Sequence, residues 1–275
     1  MSPQSMEATK EELEWAIRIK EAAVNDPTIN EAMISDFEYL HHAIVAKGVI
    51  SKAMKRLRNM QYFKEQNGIQ LDGSLEQANR DMERFLTSHP GLLLSIDRIK
   101  ETGVGVICAR YAALHVQRIH SPEAFHVVLR AMFYVLQASH ANVHAMRAGC
   151  ALLFDMQAAS GLRNFSWAVE DRAAQLYAHA YPTRVVHLVN LRTPWLFRVL
   201  FRLLRPLLSQ KVRDTTTHTA ALHEWLATSP YPRHVLPVEW GGTLQEQRLL
   251  KKLKSLLRER YDNAAKFRLS EESKG

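Results

Sequence analysis

The sequence predicts an α/β protein in which a mixed sheet is walled by helices and preceded by a small all-α N-terminal unit. Two observations lead there. Residues 8–87 carry apolar side chains at helical spacing, interrupted only by turn signals. After residue 95 that period gives way to short apolar, largely β-branched runs alternating with helix-length stretches, the pattern of crossover connections in a parallel or mixed sheet.

In the N-terminal unit, Asn25-Asp26-Pro27, Gly48, Asn67-Gly68 and Asp72-Gly73-Ser74 separate three or four helices. Ser74 ahead of Glu76 and Gln77 opens the last of them in the manner of a capping box, and His89-Pro90-Gly91 stops it. The domain boundary is expected near there. Beyond it, Val104–Tyr111, Cys150–Asp155 and Val185–Asn190 read as strands buried on both faces, with Thr215–Ala221 a weaker fourth candidate. Between the first two, Ser121-Pro122-Glu123 supplies an N-cap, a first-turn proline and an early acid. The helix that follows aligns Phe125, Val128, Leu129, Met132, Phe133 and Leu136 in one stripe. A second helix, from Ser166 to Ala180, leads to the third strand. No internal repeat or low-complexity segment is visible.

A chain of 275 residues suits one large core with an accessory unit, and 47% hydrophobic with 23% charged residues is ordinary for a globular protein. Met1-Ser2-Pro3-Gln4-Ser5 has neither a basic nor an apolar leader region, so a cytoplasmic location is expected. Cys108 and Cys150 are the only cysteines, and both sit in apolar runs where a thiol acts as a small buried hydrophobe. That excludes a disulfide framework and a thiolate metal site. The net charge of +8, with a pI near 9.5, draws anionic partners, whether a membrane surface or a nucleic acid.

Three stretches, in order, resemble the CRAL-TRIO family. They are Leu152-Leu153-Phe154-Asp155-Met156; Tyr181-Pro182-Thr183-Arg184-Val185 leading through Leu188-Val189-Asn190 to Pro194-Trp195; and Leu236-Pro237-Val238-Glu239-Trp240-Gly241-Gly242. The last is similar to the family's Leu-Pro-x-Glu-Tyr-Gly-Gly signature, with Trp for Tyr. Departures exist at Leu40-His41-His42-Ala43-Ile44, where the family carries a basic stretch, and at Glu101-Thr102-Gly103-Val104-Gly105, where it carries an Asp-x-x-Gly-Arg-Pro turn. The resemblance implies a helical N-terminal accessory domain over 1–95, a lipid-binding domain over 96–245 and a basic amphipathic helix and tail over 246–275. It implies a sheet floor and helical walls around a lipid pocket with a mobile gate helix, no cofactor, no catalysis, and a role carrying or sensing lipids such as phosphoinositides, tocopherols or retinoids.

Phosphatidylinositol-transferring members carry Glu after Tyr-Pro and Lys at the start of the fourth strand, both contacting the headgroup. Here Thr183 and Thr215 stand in those places, so the resemblance points to a less polar ligand. Helix faces and strand alternation, oriented by the family's topology, nominate Leu129, Met132, Phe133, Leu136, Cys150, Leu152, Phe154, Leu176, Tyr177, Leu188 and Trp195 as pocket residues, each equally suited to ordinary core packing.

From Tyr181 to Arg213 the chain holds Arg184, Arg192, Arg198, Arg202, Arg205, Lys211 and Arg213 and no acid. Pro194 to Leu208 reads as a helix apolar around most of its circumference, with Arg198, Arg202 and Arg205 forming one cationic stripe. At about 22 Å it is too short for a hydrocarbon core of roughly 30 Å, so an interfacial position suits it better. A core helix with solvated arginines is the competing reading, and the resemblance favours the gate at an anionic membrane, peripherally bound. The tail alternates Leu249, Leu250, Leu253, Leu256 and Leu257 with Arg248, Lys251, Lys252, Lys254 and Arg258. Docking by its leucine face is favoured over lipid contact.

Other chemistries find no anchor. His140 and His144 have helical ligand spacing without an evident third ligand, Ser160-Gly161 makes no nucleophile elbow, and no glycine-rich phosphate loop follows a strand. Nucleic-acid binding would rest on pI alone. The resemblance leaves two functions open: a lipid carrier that transfers its ligand, or a lipid-sensing adaptor that docks without transfer.

Overall fold

The computed structural model describes residues 7–69, 75–119, 121–164, 166–195, 198–199 and 215–269. Its N-terminal part consists of α1 (Lys10–Val24), α2 (Asp36–Ala46), α3 (Ile50–Gln66) and α4 (Leu75–Ser88). Capping boxes start the first two: Thr9 with Glu12, and Ser35 with Glu38. Glu38 has a second task. Its carboxylate takes the buried Lys64 ammonium at 2.7 Å, and Lys64 also donates to the Met33 carbonyl, so α3 is pinned to α2 and to the loop before it. Ser74, expected to cap α4, lies outside the described residues.

The sheet contains β1 (Leu93–Arg98), β2 (Gly105–Arg110), β3 (Cys150–Asp155), β4 (Val185–Leu191) and β5 (Thr216–His218), side by side in that order. β1 runs antiparallel to β2; every later neighbour is parallel. Parallel neighbours require crossovers. α5 (Pro122–Ser139) and α6 (Val143–Ala148) join β2 to β3, while α7 (Gly161–Asn164) and α8 (Trp167–Gln175) join β3 to β4. Ser121 caps α5 through the Ala124 N–H, with Pro122 in the first turn. α9 (Leu222–Thr228) follows β5, and α10 (Leu249–Lys266) ends the described chain.

Strand alternation divides two cores. Leu93, Ile96, Ile107, Cys150 and Leu152 face the helices α2, α3, α4, α5, α8 and α10. Leu94, Val106, Cys108, Ala151 and Leu153 face the segment from α9 to Trp240. Both cysteines are free and buried. α10 buries Leu249, Leu253, Leu256 and Leu257, at roughly 1.5–3 kcal/mol each, and Lys252 and Lys254 reach Asp97 and Glu83. The tail helix is therefore docked by its leucine face.

Two glycines are required by close backbone approach. Gly149, at φ 83°, delivers the chain into β3 where a Cβ would overlap the Arg184 carbonyl oxygen. Gly242 lies on the Leu236 carbonyl in the same way, letting its N–H reach the Pro237 carbonyl at 3.0 Å and closing the Leu236–Gly242 turn over the buried Trp240. Among the described residues no helix is long and apolar enough to cross a membrane.

Candidate functional site

Ten of the eleven nominated pocket residues meet on one face of the sheet. Leu129, Phe133, Leu136, Cys150, Leu152 and Leu176 are buried together, with Met132, Phe154, Tyr177 and Leu188 half-buried against them. The floor comes from β3 and β4, because Leu152 pairs with Leu188, and Phe154 points to the same face one repeat further on. α5 forms one wall and α8 another. Leu129 also reaches the floor of an outer cleft of about 400 Å³ between α3, α5 and α8.

α8 ends in a π-helical turn, Leu176–Ala180, closed by the Tyr181 N–H donating to the Leu176 carbonyl at 2.8 Å. Such turns are rare and often sit beside functional surfaces. This one keeps Leu176 and Tyr177 against the sheet while Tyr181 enters a polar knot behind the floor.

The knot is built on neutral histidine. His140 Nδ1 lies 2.9 Å from the Leu136 carbonyl, which can only accept, so that nitrogen carries the proton. Nε2 is then an acceptor for the Thr183 hydroxyl at 3.2 Å, and Thr183 Oγ1 in turn accepts from the Cys150 thiol at 3.4 Å. Burial drives His140 down to about 4, against the bond to Leu136, and the nearby Arg260 and Arg98 add to the effect. Burial likewise pushes the Cys150 thiol up to about 11. The His41 ring stands 5.1 Å from His140 and edge-on to Tyr181; burial first, then His140, holds it far below the usual histidine range. Thr183, at the position of a headgroup carboxylate in some relatives, is thus turned into the protein.

At the other end of the strands, Asp155 is fully buried between two guanidinium groups. Arg192 pairs with it closely and Arg110 lies at 3.7 Å, while Arg110 also pairs with Glu239. Arg192 adopts φ 51°, and the next residues tie the departing chain to β5: Thr193 N–H donates to the Thr219 carbonyl, and Thr219 N–H to the Asn190 carbonyl. Arg192, expected at a membrane surface, is instead directed onto Asp155, because a buried carboxylate needs a cation. Arg184 and Arg198 are exposed. Arg202, Arg205, Lys211 and Arg213 lie outside the described residues, as does most of the helix expected from Pro194 to Leu208. The Arg198 N–H donates to the Pro194 carbonyl at 3.2 Å, which makes one turn.

Trp195 does not join the pocket cluster; it is 69% exposed, and Trp167, at the start of α8, is 75% exposed. Sequence reading did not single out Trp167, and its place at the polar start of a helix gave no apolar stripe to mark it. His140 engages Leu136, Ser139 and Thr183, and among the described residues no group of three or more metal-ligating side chains gathers.

Comparisons with known proteins agree with this geometry. A family model described as the CRAL/TRIO domain matches residues 102–242. The chain is 32% identical over 132 residues to the tyrosine-protein phosphatase non-receptor type 9 of Mus musculus, covering 47% of this chain and 22% of that protein. The Homo sapiens protein of the same name is 31% identical over 132 residues, with the same coverage. The match spans about a fifth of the length of these curated relatives. The crystal structure of Sfh5 superposes with a TM-score of 0.50 at 12% identity, covering 90% of this chain and 92% of that one, which is a likeness of fold.

Proposed function

Since the chain belongs to the CRAL/TRIO domain family, a family of lipid-binding proteins, we infer that it holds one hydrophobic lipid-like molecule against the β3–β4 floor and releases it at anionic membranes. The observation that carries this reading is the convergence of Phe154, Leu188, Met132 and Tyr177, half-buried on one sheet face beside the strand pair from which the expected gate departs. Residues 1–95 act as the accessory unit, 96–245 as the carrier and 246–275 as a docked tail. The chain performs no catalysis in this reading.

An apolar ligand is favoured over phosphatidylinositol. Thr183 is engaged with His140 and Cys150 and offers no charge to a headgroup. The exposed Trp195 and Trp167, with Arg184 and Arg198, suit the interfacial zone of a bilayer, where aromatic rings and cations both gain. The protein is cytoplasmic and peripheral to the membrane in this reading. Transfer is energetically even, because each CH₂, worth about 0.8 kcal/mol, leaves one apolar medium for another. The adaptor reading relied on the tail helix, whose leucine face is occupied by the fold.

The test is native mass spectrometry of purified protein, then of delipidated protein exposed to a broad lipid extract. One bound apolar molecule per chain is expected. No saturable uptake would end the carrier reading, and uptake without exchange between donor and acceptor vesicles would select the adaptor.

A further inference from the structure

The outer cleft of about 400 Å³ between α3, α5 and α8 has a graded lining. Its floor is buried and apolar, made by Phe63, Leu129 and Ala180. Its walls and mouth are aromatic and cationic: Phe125 and Arg172 are half-buried, while Tyr62, Lys55 and His179 are exposed. Among the described residues no carboxylate lines it. The lining comes from the three helices, the end of α3 and the π-helical turn, with nothing from the sheet. The cleft therefore lies on the outer side of the α5–α8 layer, away from the β3–β4 floor, and Leu129 is the one nominated pocket residue in it.

Two side-chain bonds hold this frame. Asn59 of α3 donates to the His179 carbonyl at 3.2 Å, and Asn67, at the end of α3, meets His126 of α5. The second contact fixes a tautomer. Asn67 Nδ2 donates to the Phe63 carbonyl at 2.8 Å, so its Oδ1 is what faces His126 Nδ1 at 3.0 Å, and that nitrogen carries the proton. Nε2 of His126 is left to a ligand and, in the neutral ring, calls for a donor. Lys55 and Arg172 have no ion-pair partner among the described residues; Arg172 donates to Gln175 at 3.1 Å, and Asp171, outside the lining, takes the Gln175 amide at 2.8 Å.

Cations without an acid, an imidazole acceptor and ring faces call for an anion that has a proton to give and a flat apolar body. A phosphate monoester with an aromatic ring supplies all three. Its second pKa of about 6 lets it share a proton with Nε2, which a carboxylate or a sulfate ester cannot do. The ring gains by edge or offset contact with Tyr62 and Phe125. The volume falls near the low end of the roughly 300–1,000 Å³ of small-molecule sites, and helices on three sides leave no strand edge for a peptide backbone. We propose that this cleft binds a free small aromatic phosphate monoester, its ring against Tyr62 and Phe125 and its phosphate held by Arg172 and His126, with Lys55 adding to the field at the mouth. The proposal stands on the cleft and does not rest on lipid carriage.

The experiment uses the full chain and three probes in calorimetry: naphthyl phosphate, naphthyl sulfate, which keeps the ring and a charge but has no proton to give, and glycerol phosphate, which lacks the ring. Saturable binding of naphthyl phosphate is expected, about tenfold or more tighter than either control. Arg172→Gln should weaken it about tenfold. His126→Gln, whose amide both donates and accepts, should erase most of the preference for phosphate over sulfate, a change that a merely structural histidine would not give. Tyr62→Trp should retain binding and report it by fluorescence quenching, while Arg258→Gln, on α10 outside the cleft, should leave it unchanged. Absence of saturable binding, equal binding of either control, or indifference to Arg172→Gln would each overturn the proposal. Tighter binding of a phosphotyrosine peptide would assign the cleft to a protein partner, displacement of naphthyl phosphate by an apolar lipid would make it a mouth of the cargo pocket, and either result would overturn the proposal as well.

Discussion

The Nε–H of Arg192 donates to Oδ1 of Asp155 at 3.0 Å, tying the last residue of β3 to the first residue beyond β4. Asp155 has no exposure, while both guanidinium groups around it reach water at their rims. Asp155→Asn therefore removes the buried charge and leaves its partners free to hydrate. The expected loss is near the low end of the range for broken buried pairs, about 3 kcal/mol, read as a lower urea midpoint at an unchanged slope. Arg192→Gln leaves the buried carboxylate with Arg110 at 3.7 Å as its one remaining cation among the described residues, and should cost at least as much.

Folding stability should fall with acid in a window set by the buried histidines. His140 titrates near 4 in the folded chain against 6.5 in an ordinary environment, and His41 and His42 are displaced in the same direction. Below pH 6.5 the unfolded chain binds protons that the folded chain refuses, so stability is complete above that pH and drains away as pH falls toward 4. His140 alone contributes about 3 kcal/mol to the loss. Urea titrations at pH 7.5, 5.5 and 4.5, roughly spanning that window, should show the decline steepening below neutrality. Flat stability across the series would mean the histidines are hydrated or already charged.

Thr183→Val keeps the shape of the side chain and deletes the hydroxyl that links Cys150 to His140. The imidazole Nε2 is left unpaired in the core, for an expected cost of about 1–3 kcal/mol by thermal or chemical denaturation. Thr183→Ser should retain most of the stability. Thr183→Glu should be far worse than either, since its carboxylate would be buried with no cation in the hydrogen-bond chain.

Much of the CRAL/TRIO unit was legible in the sequence because β2 and β3 are buried on both faces, whereas β4, expected to be the same, buries only Val189 and Leu191 and exposes His187. Cys150–Asp155 and the run around Val106 are continuously apolar up to their last residues, and β4 was marked by its valines and leucines in spite of His187 and Asn190. β1 escaped notice for the opposite reason: Leu93-Leu94-Ser95-Ile96-Asp97-Arg98 is half apolar, bulged, and follows a helix stop, so no single period marks it. The pocket stripe on α5 came directly from helical spacing. The polar knot did not, because His41, His140 and Thr183 are brought together by three separate elements across 142 positions of the chain. Arg192 was read as a surface cation from a one-signed segment, and only the fold shows the acid waiting for it on a neighbouring strand.

Membrane contact by the segment after β4 is the remaining prediction. Trp195 stands 69% exposed at its start and Arg198 is exposed as well, within a stretch of sequence that holds no acid from Tyr181 to Arg213. Basic residues near an anionic surface contribute roughly 1 kcal/mol each, so replacing Arg198, Arg202 and Arg205 by Gln should cost up to about 3 kcal/mol of vesicle binding, somewhat over a hundredfold. The wild-type advantage should shrink as salt is raised, since these charges act through water. Trp195→Ala should weaken binding at every salt concentration, because its contribution is apolar burial at the interface. Cargo occupancy should survive both changes. Sedimentation with vesicles of graded anionic content distinguishes the possibilities: equal binding by the triple variant and the wild type would detach this segment from the membrane, and leave Trp167 and Arg184 to account for any contact that persists.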